Sequence, residues 1–227
     1  MESIYGGNVS QTISFTNNTV DGQGGDFGEF RIIAKNGGST ASQTINISGS
    51  TIFDVDKGLD IRNEQRDGAT STQTISIVDT TINANEVGAD IRNQSRNSST
   101  PAGTATQTIS FENSTIIGAS DVGIKAKGEA KGGNIGTQTI SFTNSTVTGD
   151  IGMELKATSR DADTINTQTI NLQGSTVTVT GGTALELRNE TKGAGDVSNQ
   201  TVDLTGANVT GTVDLITSDA TQTVIGP

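Results

Sequence analysis

The sequence predicts an all-β fold, a right-handed parallel β-solenoid, from a pentad that recurs along the chain and from short segments that alternate apolar with polar residues. The pentad reads Gln-Thr, then Ile or Val, then Ser, Asn or Asp, then Phe, Ile or Leu. Complete copies begin at Gln11, Gln43, Gln73, Gln107, Gln138, Gln168 and Gln200, and a truncated copy begins at Gln222. Successive complete copies lie 30 to 34 residues apart, so each repeat has a fixed scaffold and one loop of variable length.

Each repeat contains three segments with the period of two that marks a β-strand. The first is the pentad, and the second follows after about two residues, as in Ser145-Thr146-Val147-Thr148. The third usually follows a glycine and alternates apolar with charged residues, as in Leu185-Glu186-Leu187-Arg188. A loop rich in Gly, Ser, Asn, Asp and Thr then closes the repeat.

Strands this short bury too little apolar surface alone, so the repeats must stack on one another. Crossovers between parallel strands are right-handed in nearly all proteins, which predicts a right-handed coil. We therefore expect one domain, residues 1–227, of about seven coils of 30–34 residues with three strands each, and a partial coil from residue 222.

Strand parity assigns two apolar columns of the first segment to the interior. The first column is Ile13, Ile45, Ile75, Ile109, Ile140, Ile170 and Val202. The second column is Phe15, Ile47, Ile77, Phe111, Phe142, Leu172 and Leu204. The glutamine of each pentad shares this parity. Two arrangements stay open for the glutamines: a buried ladder of amides bonded from coil to coil, or a column at a corner beside the incoming loop.

The opposite parity places an unvaried threonine on the outside of each first segment. This column is Thr12, Thr44, Thr74, Thr108, Thr139, Thr169, Thr201 and Thr223. Small polar residues flank it, among them Thr72, Thr106, Thr137 and Thr167. Two interpretations stay open: the threonines form a binding surface, or β-branched residues suit an exposed strand and duplication copied them.

Charge is segregated to the third segment. All 14 basic residues lie in or beside that segment and its loop. The acids Glu29, Asp60, Asp90, Glu154 and Glu186 each stand two positions before a base. We expect a ladder of acids beside a ladder of bases, forming a solvated face that discourages aggregation.

Composition excludes much ordinary chemistry. The chain has no His and no Cys, which rules out a Ser-His-Asp triad, a thiol nucleophile, a disulfide and the usual zinc or haem sites. We expect no enzymatic activity, no metal and no cofactor. A catalytic site interrupts a repeat, whereas the acidic residues of this chain recur with it. The net charge of −11 argues against nucleic acid as a partner, and no stretch is long and apolar enough to insert into a membrane.

The repeats resemble the right-handed β-helix passenger domains of pertactin-like autotransporters and other bacterial adhesins. The matching segments are Asn113-Ser114-Thr115-Ile116-Ile117-Gly118, Asn144-Ser145-Thr146-Val147-Thr148-Gly149 and Gly206-Ala207-Asn208-Val209-Thr210-Gly211. The resemblance implies an extracellular or cell-surface rod that is structural or adhesive, with a surface or glycan ligand as partner and no catalytic residues carried over. The start of the chain does not read as a secretory signal peptide, so we expect either a fragment or signal-less secretion.

The threonine columns are also similar to the Thr-x-Thr faces of ice-binding β-solenoids, which implies an alternative function as an antifreeze protein. Outward threonines on neighbouring coils would lie about 4.8 Å apart. A lesser alternative is a β-helix that binds or cleaves polysaccharide, with paired carboxylates as its catalytic groups.

Neither end of the repeat array reads as a cap. Uncapped solenoid ends present a bare sheet edge, so the chain is either part of a longer helix or docks head to tail with copies of itself. Lateral association between copies stays open as well. For the second case we predict that Ile4, Tyr5, Thr223, Val224 and Ile225 lie at the assembling ends.

Overall fold

In the computed structural model, which describes residues 2–4, 7–96, 102–161 and 163–226, the chain folds as a parallel β-solenoid of about seven coils. The described residues form strands and turns and contain no helix. The strands, in chain order, are β1 (Glu2–Ile4), β2 (Asn8–Thr16), β3 (Thr19–Gly25), β4 (Glu29–Lys35), β5 (Thr40–Ser48), β6 (Thr51–Arg66), β7 (Thr70–Val78), β8 (Thr81–Arg96), β9 (Thr104–Glu112), β10 (Thr115–Lys131), β11 (Ile135–Thr143), β12 (Thr146–Arg160), β13 (Ile165–Asn171), β14 (Thr176–Thr191), β15 (Val197–Asp203), β16 (Asn208–Ser218) and β17 (Thr221–Ile225).

The strands make two parallel sheets. The long-strand sheet has the order β1-β4-β6-β8-β10-β12-β14-β16, and β3 also pairs with β6. The short-strand sheet has the order β2-β5-β7-β9-β11-β13-β15-β17 and contains the pentads. Coils therefore stack in sequence order, which confirms the predicted solenoid; its right-handed sense stays a prediction.

The structure differs from the three-strand prediction at the corner between the second and third segments. Only the first coil keeps them apart, as β3 and β4; in later coils one strand, such as β8 or β12, runs through both. The pairing of β10 with β12 shifts register at this corner, between Gly118 and Val122. A bulge of this kind bends a strand without ending it, so the chain turns the corner while pairing continues on both sides.

A column of glycines lets neighbouring coils approach at the same corner. A Cβ on Gly88 would lie 2.5 Å from the carbonyl oxygen of Gly123, and a Cβ on Gly123 would lie 2.7 Å from that of Gly152. Only glycine tolerates a backbone this close. Close packing between coils therefore accounts for the glycine that precedes the third segment in the sequence.

Apolar side chains from both sheets fill the interior. The two predicted columns of the first segment are buried from the second to the seventh coil, and Ile13 and Phe15 in the first coil are partly buried. Phe111 and Phe142 stack with ring centroids 4.8 Å apart, which is the spacing of neighbouring strands. Each coil thus buries its core residues against the next.

The glutamine column is a buried amide ladder, which decides between the two arrangements left open by the sequence. Each Nε2 donates to the Oε1 of the glutamine in the preceding coil, as Gln138 does to Gln107 at 2.8 Å and Gln168 does to Gln138 at 2.7 Å. The ladder runs without a break from Gln222 to Gln11. Stacking therefore satisfies every buried amide in turn.

A ladder of hydroxyls holds the turn after each pentad. The backbone N–H of Ser114 donates to Oγ of Ser145 at 3.1 Å, and the N–H of Ser145 donates to Oγ of Ser175 at 3.0 Å. The residues before them, Asn113 and Asn144, both have φ of 49°, a left-handed conformation that asparagine tolerates. The turn thus aligns the pentad of each coil with its neighbours.

Candidate functional site

The outward surface of the short-strand sheet, here called the threonine face, carries the predicted threonine column. Pairing is in register from strand to strand, so these threonines stack directly above one another. Their side chains are exposed or half-buried. The members are Thr12, Thr44, Thr74, Thr108, Thr139, Thr169, Thr201 and Thr223. The structure therefore brings the column together on one face, and what the column binds stays a prediction.

Two further polar columns flank the threonines. On one side lie the half-buried Thr72, Thr106, Thr137 and Thr167, in register with Ser10, Ser42, Asn199 and Thr221. On the other side, serine or asparagine occupies the position from the first to the sixth coil. Within the described residues, no side-chain hydrogen bond holds a hydroxyl of the central threonine column. Because neighbouring hydroxyls stand about 4.8 Å apart, they are left to water or a ligand.

An apolar strip borders this face in the later coils, and sequence reasoning missed it. Ile135, Ile165 and Val197 stack in register and are 38%, 41% and 41% exposed. The same column holds Thr104 in the preceding coil. The signal was available, since these residues stand three positions before each pentad glutamine with the parity of the outward threonines.

The outward surface of the third segments, here called the charged face, contains two basic columns on either side of a middle column. The first basic column is Arg31, Arg62, Arg92, Lys127, Lys156 and Arg188. The second, four residues later in each coil, is Lys35, Arg66, Arg96, Lys131, Arg160 and Lys192. The middle column is Ile33, Glu64, Gln94, Glu129, Thr158 and Glu190. Sequence reasoning found the bases but not the middle column.

The expectation of a solvated charged face is wrong for several acids. Asp60 and Asp90 are only 6% and 4% exposed. The Arg62 guanidinium donates from Nε and Nη2 to the two carboxylate oxygens of Asp60 at 2.8 and 2.5 Å, and Arg92 binds Asp90 in the same way. Residues two apart on a strand share a face, so each arginine folds over the acid before it and shields it from water.

Glu129 is the centre of a cluster of three cations on this face. Its carboxylate is 3% exposed and lies 2.9 Å from Lys127 Nζ, 3.1 Å from Lys131 Nζ and 3.6 Å from Arg160 Nε. Burial alone would raise the pKa of Glu129, but hydrogen bonds from the two lysines and their charge outweigh burial and lower it to about 2. The face is therefore held together by its own charges.

Glu64 repeats this arrangement two coils earlier. Its carboxylate lies 3.0 Å from Arg31 Nη2 and 2.7 Å from Arg66 Nη2. Burial opposes ionisation, and the hydrogen bonds from both arginines nevertheless lower the pKa of Glu64.

The residues predicted at the assembling ends are only partly described. Thr223, Val224 and Ile225 are exposed on β17, the last strand of the short-strand sheet. Ile4 lies in β1 and pairs with Lys35, and Tyr5 lies outside the described residues.

The two ends of the core differ in what covers them. Val213 and Leu215 of β16 stack on buried Leu185 and Leu187 and are themselves 38% and 56% exposed. At the other end Phe15, Phe27 and Phe30 pack edge to face, with ring centroids 6.0 to 6.3 Å apart. An aromatic cluster thus covers one end more fully than the aliphatic residues cover the other.

One carboxylate pair of the kind that cleaves polysaccharide, Asp60 with Asp90, lies within the charged face. Asp60 and Asp90 lie opposite each other in neighbouring strands, each bound to its own arginine. Across residues 2–4, 7–96, 102–161 and 163–226, no group of three or more His, Cys, Asp or Glu could hold a metal ion. In the same part of the chain, no helix is long and apolar enough to cross a membrane.

Comparisons with protein families, with curated proteins and with solved structures found no match to this chain. The two faces and the ends of the solenoid are therefore the features that bear on its function.

Proposed function

We propose that the protein is a non-enzymatic structural or adhesive rod of a cell surface or the extracellular space, which binds its partners along its lateral faces. The observation that carries the proposal is the continuity of the columns on those faces. The threonine face spans eight strands in register and the charged face spans six coils. Both present the same chemistry about every 4.8 Å, which suits an extended ligand or surface better than a single small molecule.

The ladders in the interior favour a stiff scaffold. The glutamine ladder and the hydroxyl ladder bond each coil to the next. Stability in such solenoids comes from the interfaces between neighbouring repeats. A rod of this kind keeps its lateral columns aligned over its full length.

End-to-end association with a second copy is part of the proposal. The exposed Val213 and Leu215 offer an apolar surface at one end. The glutamine ladder is directional, so Gln222 presents an Oε1 acceptor at that end and Gln11 presents an Nε2 donor at the other. Unlike ends that match in this way form a heterologous contact, which propagates into filaments.

Light scattering and negative-stain microscopy over a range of concentrations test this association. We expect particles that lengthen as concentration rises, and loss of lengthening in the double variant Val213→Lys/Leu215→Lys. Thr139→Lys/Thr169→Lys, with the same added charge on the threonine face, is the control and should still lengthen. A wild-type chain that stays monomeric at every concentration would contradict end-to-end association.

Ice binding is the second candidate, favoured by the in-register threonine hydroxyls that bond to no other protein group. Inhibition of ice recrystallisation measures it. An ice binder should lose activity in Thr139→Tyr/Thr169→Tyr and keep it in Thr146→Tyr/Thr176→Tyr, which alters the long-strand sheet instead. Absence of any effect of the wild-type protein on ice would exclude this function.

A further inference from the structure

The middle column of the charged face alternates between acidic and neutral residues. Glu64, Glu129 and Glu190 occupy every second coil, and Gln94 and Thr158 occupy the coils between them. A base stands two residues before and two residues after each of these positions. Every coil therefore supplies two cations to the charged face, but only alternate coils supply a carboxylate between those two cations.

Each glutamate draws on bases from neighbouring coils as well as its own. Glu64 lies 4.0 Å from Arg96 Nη1, and Glu129 lies 3.6 Å from Arg160 Nε. Glu190 lies 3.6 Å from Lys156 Nζ. In the neutral coils, Arg96, Lys156 and Arg160 thus pair with glutamates one coil away, whereas Arg92 binds Asp90 on its own strand.

Three of the buried polar atoms that lack a hydrogen-bond partner lie on these neutral coils. In the coil of Gln94, the buried Nε of Arg96 makes no hydrogen bond, although Nη2 donates to Gln94 Oε1 at 2.6 Å. In the coil of Thr158, neither the Arg160 Nε nor the Thr158 Oγ1 has a hydrogen-bond partner, and Thr158 is fully buried. Buried polar groups are normally paired, and on these two coils the middle column supplies no carboxylate to the bases on either side of it.

The first of these positions opens into a groove. Arginines from three successive coils line it, and Glu64 and Gln94 lie between them; its volume is about 180 Å³. The lining arginines are Arg31, Arg62, Arg66, Arg92 and Arg96.

The face as a whole is positive in a strongly acidic protein. A fourth column on this face is Glu29, Asp60, Asp90, Lys125, Glu154 and Glu186. From the first to the sixth coil, this column, the two basic columns and the middle column together hold 13 of the 14 bases and eight of the 25 acids. The remainder of the chain carries the negative charge. A ligand with negative groups is therefore attracted to this face and repelled elsewhere.

We propose that the charged face binds a linear acidic polysaccharide, with carboxylate or sulfate groups of the polymer lying over Gln94 and Thr158. These two positions are two coils apart, or about 10 Å, a separation that suits a polymer with one acidic group per two sugars. Guanidinium groups bind such anions through paired hydrogen bonds. This inference rests on the proposed adhesive function and names the class of its ligand.

Nucleic acid is the less favoured polyanion. Single strands are held by aromatic side chains on which bases stack, and the described part of the charged face has none. The net charge of −11 also repels a densely charged phosphate backbone. A polysaccharide with one acidic group per two sugars has its charges farther apart and needs no stacking platform.

Binding of hyaluronate, which has one carboxylate per two sugars, and of the more densely charged heparin, measured by isothermal titration calorimetry at physiological salt, tests the proposal. Dextran serves as the neutral glycan and a single-stranded DNA oligonucleotide as the competing polyanion. We expect binding to heparin or hyaluronate, weaker binding to DNA and none to dextran. Binding to neither acidic glycan, or tighter binding to DNA than to both, overturns the proposal.

The sharpest variant fills the missing positions with the protein's own carboxylates. Gln94→Glu/Thr158→Glu places glutamates where Glu64, Glu129 and Glu190 already stand between bases, and should weaken glycan binding at least ten-fold. Thr74→Glu/Thr139→Glu makes the same charge change on the threonine face and should weaken it less than three-fold. Equal weakening by both variants would show that only the net charge of the protein matters, and would contradict binding of the glycan at Gln94 and Thr158.

A second pair of substitutions keeps the test decisive if the first does not fold. Arg96→Gln/Arg160→Gln removes one cation from each of these neutral coils and should also weaken binding at least ten-fold; unchanged affinity overturns the proposal. All titrations are made at concentrations where the chain is monomeric by light scattering. Failure of end-to-end association and failure of glycan binding are thereby observed separately.

Discussion

The threonine face and the charged face are outward surfaces of the same solenoid, yet they satisfy their polar groups in opposite ways. Threonine hydroxyls such as that of Thr139 stand in register without bonding to one another or to other protein groups. On the charged face, Asp60 and Glu129 are buried beneath their basic neighbours. The same repeat spacing thus produces one face whose hydroxyls are left to bond to solvent, and another whose acids are paired mainly with bases of the same face.

Side-chain length and charge explain the difference. A threonine hydroxyl is too short to bridge the spacing of about 4.8 Å between coils, whereas lysine and arginine reach carboxylates on their own strand and on the next. Substitutions should therefore cost little stability on the threonine face and much on the charged face. The largest stability cost is expected for substitutions in the glutamine ladder, which lies beneath the threonine face.

The largest loss is expected for Gln138→Ala, which interrupts the interior ladder. Gln138 is fully buried and bonds to Gln107 and Gln168, so its loss leaves a cavity and two unpaired amide groups, at a cost of about 3–4 kcal/mol in the free energy of unfolding. Gln222→Ala, at the half-buried end of the ladder, is the control and should cost less than about 1 kcal/mol. Urea denaturation measures both, and equal costs would show that the ladder does not act through burial.

On the charged face, Glu129→Gln should cost about 2–3 kcal/mol, because the pKa of Glu129 is lowered from 4.5 to about 2 by the cations that it holds. Glu112→Gln makes the same chemical change at an exposed position beside the threonine face and should change stability by no more than about 0.5 kcal/mol. Thermal and urea denaturation at neutral pH compare the two. Similar costs would remove the distinction between the faces.

Lowering the pH should remove stability that comes from the charged face and leave the threonine face unaffected. A carboxylate with a lowered pKa contributes its stability in full above its unfolded value of about 4.5 and loses it as the pH falls toward the folded value. For Glu129 this interval runs from 4.5 to about 2, and Glu64 shifts in the same direction. The wild-type protein should therefore lose stability more steeply than Glu129→Gln between pH 4.5 and 2, as followed by urea midpoints. Parallel pH curves would contradict the lowered pKa.

The smallest effect is expected for Thr139→Val on the threonine face. The side chains have the same shape, and the hydroxyl bonds to no other protein group, so stability should stay within about 0.5 kcal/mol of wild type. A loss above 1 kcal/mol would indicate that the hydroxyl column stabilises the coil after all.

The features predictable from the sequence are those that repeat with every pentad. Ile140 and Phe142 lie in the core and Thr139 on the outside, because a period of two and a fixed coil length determine both parity and register. For Gln138 the sequence leaves two arrangements open, a buried ladder or a column at a corner. Strand parity places the amide inwards but does not reveal whether the neighbouring amides come within hydrogen-bonding distance.

The features that could not be predicted depend on how side chains meet across the corner and the variable loop. The merging of the second and third segments in β8 and β12 depends on bulges, which polar–apolar alternation does not reveal. The middle column escaped notice because Gln94 and Thr158 break the identity of Glu64 and Glu129, so it does not read as a repeat. The burial of Asp60 depends on the rotamer of Arg62 and has no signature in the sequence.

Nuclear magnetic resonance during titration with hyaluronate tests most directly which lateral face binds. Resonances of the Arg96 and Arg160 side-chain Nε–H groups and of the Thr139 and Thr169 methyl groups report on the two faces in one sample. We predict that the arginine resonances shift and their hydrogen exchange slows on binding, while the threonine methyl resonances stay in place. Shifts confined to the threonine methyls, or no shift on either face, would contradict the account.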